Sequence, residues 1–178
     1  MRREIRFAGF GGQGVILAGL ITGRAAALHD GKEAVVTQSY GPEARGGACA
    51  AQLVIDERPI DYPMVTRPDV LVAMSQEAAN KYTADLAADC HVLIDSDLVS
   101  LEETPWRTSS IPATALAEEL GNRMAANVVM LGFITAVTGA VGRDSMERAV
   151  RESVRERFVA LNVRAFETGY TFAEGVAR

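Results

Sequence analysis

Apolar and polar positions along the first half of the chain follow two alternating patterns. Short apolar runs predict strands over residues 5–9, 34–39, 48–55, 69–74 and 91–95. Between them, residues 13–29 and 75–88 carry apolar side chains at helical spacing, with Gly31 just past the first predicted helix and Ser75 as the expected N-cap of the second. Strands that alternate with helices indicate a doubly wound α/β core.

Helices dominate the pattern after Trp106. Residues 112–120 predict a short helix, and residues 122–138 are apolar nearly all round, as expected for a deeply buried helix. Asp144 and Glu147 resemble a capping box and predict a helix start, followed by an apolar series at helical spacing: Met146, Val150, Val154, Phe158, Leu161, Phe166, Tyr170 and Ala173.

The predicted fold is therefore a single α/β domain over residues 1–178. We expect a Rossmann-like, three-layer arrangement with a mostly parallel sheet, helices on both faces and a helix-rich C-terminal third. The near-continuous apolar runs at residues 69–74 and 91–95 are typical of parallel strands that are covered on both faces.

Composition narrows the classes of partner. With 48% apolar and 23% charged residues, the chain has an ordinary globular composition, and its net charge of −5 argues against a nucleic acid or an anionic membrane as partner. The N-terminus has no signal-peptide pattern, and the longest apolar stretch is too polar to span a bilayer. We expect a cytoplasmic protein.

The chain offers few residues for metal or covalent chemistry. Its two cysteines, Cys49 and Cys90, and two histidines, His29 and His91, match no zinc or iron–sulfur spacing, so we expect buried thiols and no metal site. Nucleophile-elbow and H-E-x-x-H motifs are absent from the sequence. Any redox chemistry must therefore use a cofactor that another chain holds.

A glycine-rich turn follows the first predicted strand, and its candidate cofactor-binding residues are Gly9, Gly11, Gly12, Gln13 and Gly14. Glycines at a strand-to-helix turn let backbone N–H groups approach a phosphate at the helix N-terminus. An NAD site would also need an acidic residue at the end of the second strand, where Ser39 stands. Three roles therefore remain for the glycine-rich turn: a contact with a phosphate, a purely structural turn, or a loop at an interface.

A second unusual segment leaves the carboxyl end of the second predicted strand. It comprises Ser39, Tyr40, Gly41, Pro42, Glu43, Ala44, Arg45, Gly46 and Gly47. In a parallel sheet it would lie at the same edge as the glycine-rich turn, where ligands bind. It is either a long turn with an internal Glu43–Arg45 contact or a loop that recognises a partner or ligand through Tyr40 and Arg45.

One polar residue, Asn127, stands in the most apolar predicted helix. A buried Asn needs hydrogen-bond partners, so we expect Asn127 to tie down a neighbouring loop, with a ligand contact as the alternative.

The two unusual segments together resemble the gamma subunit of 2-oxoacid:ferredoxin oxidoreductases. The likeness lies in the order and spacing of residues 9–14 and 37–47, continues through residues 73–77 and 127–132, and so covers most of the chain. The sequence of residues 37–47, Thr-Gln-Ser-Tyr-Gly-Pro-Glu-Ala-Arg-Gly-Gly, is most similar to that of the 2-oxoglutarate enzymes in this family. Pyruvate, ketoisovalerate and indolepyruvate enzymes remain alternatives, as does a stand-alone nucleotide- or phosphate-binding regulatory module.

The resemblance implies a role inside a larger enzyme that oxidatively decarboxylates a 2-oxoacid, reduces ferredoxin and forms an acyl-CoA thioester. Alpha, beta and ferredoxin-like subunits would be the partners and would hold thiamine diphosphate, magnesium and the iron–sulfur clusters. The gamma domain would support assembly and accommodate coenzyme A. We expect the isolated chain to bind no cofactor by itself and to be inactive.

Overall fold

The computed structural model describes residues 1–39, 47–102 and 104–176. A six-stranded sheet forms the centre, in the order β2-β3-β1-β4-β5-β6. Its strands are β1 (Arg3–Phe10), β2 (Glu33–Ser39), β3 (Ala48–Asp56), β4 (Val70–Ala73), β5 (His91–Asp95) and β6 (Arg107–Ile111). Only β3 runs against the others, because it pairs antiparallel with both β1 and β2. The mostly parallel sheet is confirmed.

In the described residues, six α-helices accompany the sheet: α1 (Val15–Arg24), α2 (Gln76–Thr83), α3 (Ala113–Glu119), α4 (Ala126–Thr138), α5 (Arg143–Ser153) and α6 (Val159–Val176). The larger core cluster joins one face of the sheet to α1 and α3–α6, and a smaller cluster joins the other face to α2. Within β1, Ile5 and Phe7 belong to the first cluster and Ala8 to the second. The three-layer α/β prediction is confirmed.

Helices α4 and α6 pack closely because each contributes a glycine to the contact. A Cβ atom at Gly132 would collide with the backbone oxygen of Phe166, and one at Gly169 with the backbone oxygen of Val129. The apolar helix predicted around residues 122–138 is buried over most of its length, and it packs closely on α6. Its first turn, Arg123–Ala125, is a 3-10 helix.

Strand β6 contradicts the prediction that helices follow Trp106 directly. Residues 107–111 read Arg-Thr-Ser-Ser-Ile and pair parallel with β5 at the end of the sheet. Because an edge strand leaves much of its surface in solvent, the β6 side chains are mostly polar, and Ile111 alone among them is buried. The apolar pattern that marks the inner strands is therefore missing here.

The predicted capping box at Asp144 and Glu147 is wrong. The N-cap of α5 is Gly142, which has no side chain that could cap the helix, and Asp144 lies in the first turn. Instead, the carboxylate of the distant Asp30 accepts a hydrogen bond from the Gly142 N–H at 2.9 Å. A cap supplied from 112 residues away leaves no local signal in the sequence.

Two helix extents also differ from the prediction. The apolar series from Met146 does not form one helix, since α5 ends at Ser153 and Val154 is extended. Helix α2 is shorter than residues 75–88, although the Ser75 hydroxyl caps it by accepting from the Ala78 N–H, as predicted.

Candidate functional site

The glycine-rich turn connects β1 to α1 at the carboxyl edge of the sheet. Gly12 has φ +99° and Gly14 has φ +76°, in the left-handed region that favours glycine. Gly14 is the N-cap of α1, and the helix start has neither a side-chain cap nor an acidic residue in its first turn. Among the described residues, no capping side chain and no carboxylate of the first turn offsets the positive end of the helix dipole.

The Gln13 side chain holds the turn in place. Its Oε1 accepts from the Phe10 N–H at 2.7 Å, and its Nε2 donates to the Met74 carbonyl at 2.6 Å. This amide joins the end of β1, the turn and the residue after β4. Both polar atoms of the Gln13 side chain form hydrogen bonds within the chain, and these bonds hold the turn in place.

Asn127 supports the turn from α4. Its Nδ2 donates to the Gly14 carbonyl at 3.2 Å, and the residue is only 5% exposed. A Cβ atom at Gly14 would collide with the Asn127 amide. The position of Asn127 thus requires glycine at residue 14, and the Gly14 carbonyl in turn supplies a hydrogen-bond partner for the buried Asn127 amide.

The five candidate residues of the turn have different surroundings. A Cβ atom at Gly9 would lie 2.6 Å from the Gln13 Oε1 and 2.8 Å from a Val15 methyl carbon, so Gly9 allows close packing. At Gly11 and Gly12, by contrast, no atom of the described residues lies within 4 Å of a Cβ atom. These two glycines leave open space in front of the turn.

A cavity of about 130 Å³ lies beside Gly12. Its wall combines apolar side chains with one guanidinium group, and it is lined by Gly12, Gln13, Met74, Leu98, Thr114, Arg123, Met124 and Ala126. The Arg123 side chain is 63% exposed, and among the described residues it pairs with Glu118, with 3.6 Å between Nη1 and Oε1. A contact of this length between exposed side chains is weak, so Arg123 is available for an anion.

One residue of the cavity wall, Thr114, is held by a buried carboxylate. Asp95, at the end of β5, is fully buried and accepts hydrogen bonds from the Thr114 hydroxyl at 2.6 Å and the Asp97 N–H at 3.1 Å. These bonds fix Thr114 at the cavity wall. The sequence analysis did not identify Arg123 or Thr114 as site residues, because neither belongs to a motif. The one local signal near Arg123 is the Gly121-Asn122 pair before it, which is typical of a helix end.

The second candidate segment begins and ends at the same edge. Ser39 pairs with Ala50, which pairs with Ala8 two residues before the end of β1. Because β2 runs parallel to β1, the carboxyl ends of both strands lie together. Residues 40–46, which include Tyr40, Glu43 and Arg45, lie outside the described residues.

The two cysteines are buried, and each of the two histidines contacts another side chain. Cys49 and Cys90 are free and buried, and burial raises the pKa of the Cys90 thiol to about 11. The His29 ring lies 3.0 Å from a Glu152 carboxylate oxygen, and the His91 ring lies 2.9 Å from the Ser109 hydroxyl.

Within residues 1–39, 47–102 and 104–176, no three acidic, Cys or His side chains converge on a metal-sized site. Over the same ranges, none of the helices is long and apolar enough to cross a membrane.

These features define an α/β domain whose open sheet edge carries a glycine-rich turn. The domain belongs to the pyruvate ferredoxin/flavodoxin oxidoreductase family, whose sequence pattern matches residues 4–172. The 2-oxoglutarate synthase subunit KorC of Methanocaldococcus jannaschii is 51% identical over 98% of this chain and 95% of its own. The ketoisovalerate oxidoreductase subunit VorA of Methanothermobacter thermautotrophicus is 35% identical over 96% of this chain, but only 36% of its own.

Solved structures share the fold. A keto/oxoacid ferredoxin oxidoreductase gamma subunit from Geobacter sulfurreducens superposes with a TM-score of 0.90 at 44% identity, covering 98% of each chain. The 2-oxoglutarate:ferredoxin oxidoreductase of Magnetococcus marinus, solved with 2-oxoglutarate, coenzyme A and succinyl-CoA, gives 0.87 at 22% identity. The match covers 98% of this chain and 31% of the Magnetococcus chain.

Proposed function

We propose that this chain is the gamma subunit of a 2-oxoglutarate:ferredoxin oxidoreductase, an enzyme that forms succinyl-CoA, CO₂ and reduced ferredoxin. The observation that carries the proposal is the 51% identity to a 2-oxoglutarate synthase subunit along nearly the whole chain. Alpha, beta and ferredoxin-like subunits supply thiamine diphosphate, magnesium and the iron–sulfur clusters in this proposal, and the assembly works in the cytoplasm.

Within that enzyme, the glycine-rich turn contacts the phosphates of coenzyme A. Three features of the described residues support this role: the uncapped start of α1, the open space before Gly11 and Gly12, and the guanidinium of Arg123 across the adjacent cavity. Backbone N–H groups, a helix dipole and a guanidinium together suit a phosphate. The segment from Ser39 to Gly47 serves in this proposal as a partner or ligand loop.

The test is steady-state kinetics of the assembled enzyme carrying Gly11→Ala, Gly12→Ala or Arg123→Gln. A methyl group at Gly11 enters open space without backbone strain, so it disturbs a ligand rather than the fold. We expect the KM for coenzyme A to rise about two- to fivefold for the glycine variants and roughly tenfold for Arg123→Gln. The KM for 2-oxoglutarate should change little.

Gly139→Ala is the matched control for Gly12→Ala. Gly139 also has a positive φ, +59°, and open space at its Cβ position, but it lies at the opposite end of α4. It therefore reproduces the backbone strain without touching the turn. An unchanged coenzyme A KM in both Gly11→Ala and Arg123→Gln enzymes would reject the cofactor contact and leave the turn as a scaffold.

The substrate and the assembly need separate measurements. Purification from the native cell should recover alpha and beta subunits with this chain, and the recovered enzyme should prefer 2-oxoglutarate to pyruvate, 2-oxoisovalerate and indolepyruvate. The isolated chain should neither turn over a 2-oxoacid nor show an iron–sulfur absorption spectrum. Recovery of the chain alone, with nucleotide bound, would favour a stand-alone regulatory module instead.

A further inference from the structure

Arg6 is a buried arginine in the middle of β1. It is only 6% exposed, yet within the described residues its Nε and Nη1 atoms have no hydrogen-bond partner. The other buried charged residues, Glu4, Asp56 and Asp95, each accept at least two hydrogen bonds. A buried cation without hydrogen bonds is costly, so Arg6 differs from the rest of the interior.

Two more buried donors without partners lie near Arg6. Arg6 pairs with Gln52 across the sheet, and Gln52 pairs with Thr37, so these three side chains form one row on a single face. At about 4.8 Å between strands, the row spans about 10 Å. The hydroxyl groups of Thr37 and of Tyr82 in α2 are buried and have no hydrogen-bond partner among the described residues.

The contacts of the guanidinium group show where an anion would bind. The Tyr82 ring lies against it, with 5.3 Å between the Arg6 Cζ and the ring centre, and the Lys81 Nζ is 5.1 Å from the same centre. Asp85, two residues after α2, has its Oδ1 3.5 Å from the Arg6 Nη1 but forms no hydrogen bond with it. The Asp85 side chain is 70% exposed, so it is a weak and replaceable partner.

We propose that Arg6, Gln52, Thr37 and Tyr82 form a binding site for a small free oxyanion of the phosphate class, on the face of the sheet that carries α2. Guanidinium, amide and hydroxyl groups all donate hydrogen bonds, and an oxyanion accepts several at once. The anion enters where the Asp85 carboxylate now lies, once that exposed side chain turns into solvent. Asp85 therefore competes with the ligand. This site does not depend on the role of the glycine-rich turn.

The experiment is isothermal titration calorimetry of the full chain with inorganic phosphate, at an ionic strength held constant with chloride. We expect one saturable site in the wild type, binding roughly tenfold weaker or worse in Arg6→Met, and binding about fivefold tighter in Asp85→Asn. Asp89→Asn is the matched control, because it removes the same charge from an exposed pair, that with Arg67 at 2.9 Å. Its affinity for phosphate should equal that of the wild type.

Two further variants separate the site from the fold and from the turn. Tyr82→Phe keeps the ring against Arg6 and removes only the hydroxyl group, so phosphate should bind about three- to tenfold more weakly at an unchanged melting temperature. Arg123→Gln removes the guanidinium beside the turn and should bind phosphate like the wild type.

A wild-type chain without saturable phosphate binding would overturn the proposal, and so would equal affinities in the wild type, Tyr82→Phe and Asp85→Asn. Binding that is lost in Arg123→Gln but kept in Arg6→Met would place the phosphate at the glycine-rich turn and would also reject this site. The readout is the affinity for free phosphate, whereas the coenzyme A contact is tested by KM, so the two proposals can fail separately.

Discussion

The Asn127 side chain donates from Nδ2 to the Gly14 carbonyl, and this 3.2 Å bond connects the most apolar helix to the glycine-rich turn. The Gly14 carbonyl also accepts the first hydrogen bond of α1, from the Ala18 N–H at 2.9 Å. One oxygen atom thus fixes both the start of α1 and the position of α4 beside it.

Replacing Asn127 with Ala should destabilise the domain by about 1–3 kcal/mol, because the change removes a hydrogen bond and leaves a small cavity. Urea unfolding of the isolated chain measures the loss. Asn162→Ala is the control, since its Nδ2 also donates to a backbone carbonyl, that of Phe158, but on the surface. The control should cost about 0.5 kcal/mol or less. Equal losses in the two variants would contradict a special role for Asn127.

The contact between α4 and α6 gives a prediction about glycine. Gly169→Ala should destabilise the chain by more than about 3 kcal/mol, because the methyl group would enter the Val129 backbone and force the helices apart. Gly175→Ala in the same helix has open space and should be neutral or stabilise by up to about 1 kcal/mol. Thermal unfolding of both variants tests the pair. A tolerated Gly169→Ala would show that the helices can separate cheaply.

Much of this architecture follows from local sequence. The inner strands and α4 were predictable because burial on both faces demands apolar residues, and Ser75 was predictable because an N-cap uses a local hydroxyl. Strand β6 was not, since an edge strand can be polar. The Asp30 cap of α5 and the Arg123 side of the cavity were also missed, because residues distant in sequence meet there only after folding.

The Asp30 cap predicts acid sensitivity. Burial would raise the pKa of Asp30, but hydrogen bonds from Ser145, the Gly142 N–H and Lys32 outweigh it and lower the pKa below its ordinary 3.8. A depressed folded-state pKa contributes stability that is present above the ordinary value and is lost as the pH falls through the folded value. Unfolding free energy measured from pH 6 to pH 3 should therefore fall less steeply for Asp30→Asn than for the wild type. Parallel curves would contradict the cap.

The two hydrogen bonds of Gln13 make Gln13→Glu an informative change. The new carboxylate can still accept from the Phe10 N–H, but its second oxygen would face the Met74 carbonyl, where the amide now donates. Two acceptors in contact repel, so the folded state raises the pKa of the introduced carboxyl above its ordinary value of about 4.3. The protonated acid can donate to Met74 and restore the bond.

Because the folded pKa is raised, the stability of Gln13→Glu relative to the wild type should be highest in acid and should fall as the pH rises through that pKa. We expect a relative loss of about 1–3 kcal/mol at pH 7 that shrinks toward pH 4, measured by urea unfolding at each pH. Gln76→Glu is the control, because Gln76 also accepts from a backbone N–H, that of Ser100, but it is exposed. If both variants lose the same stability at pH 7, the Gln13 amide does not hold the turn.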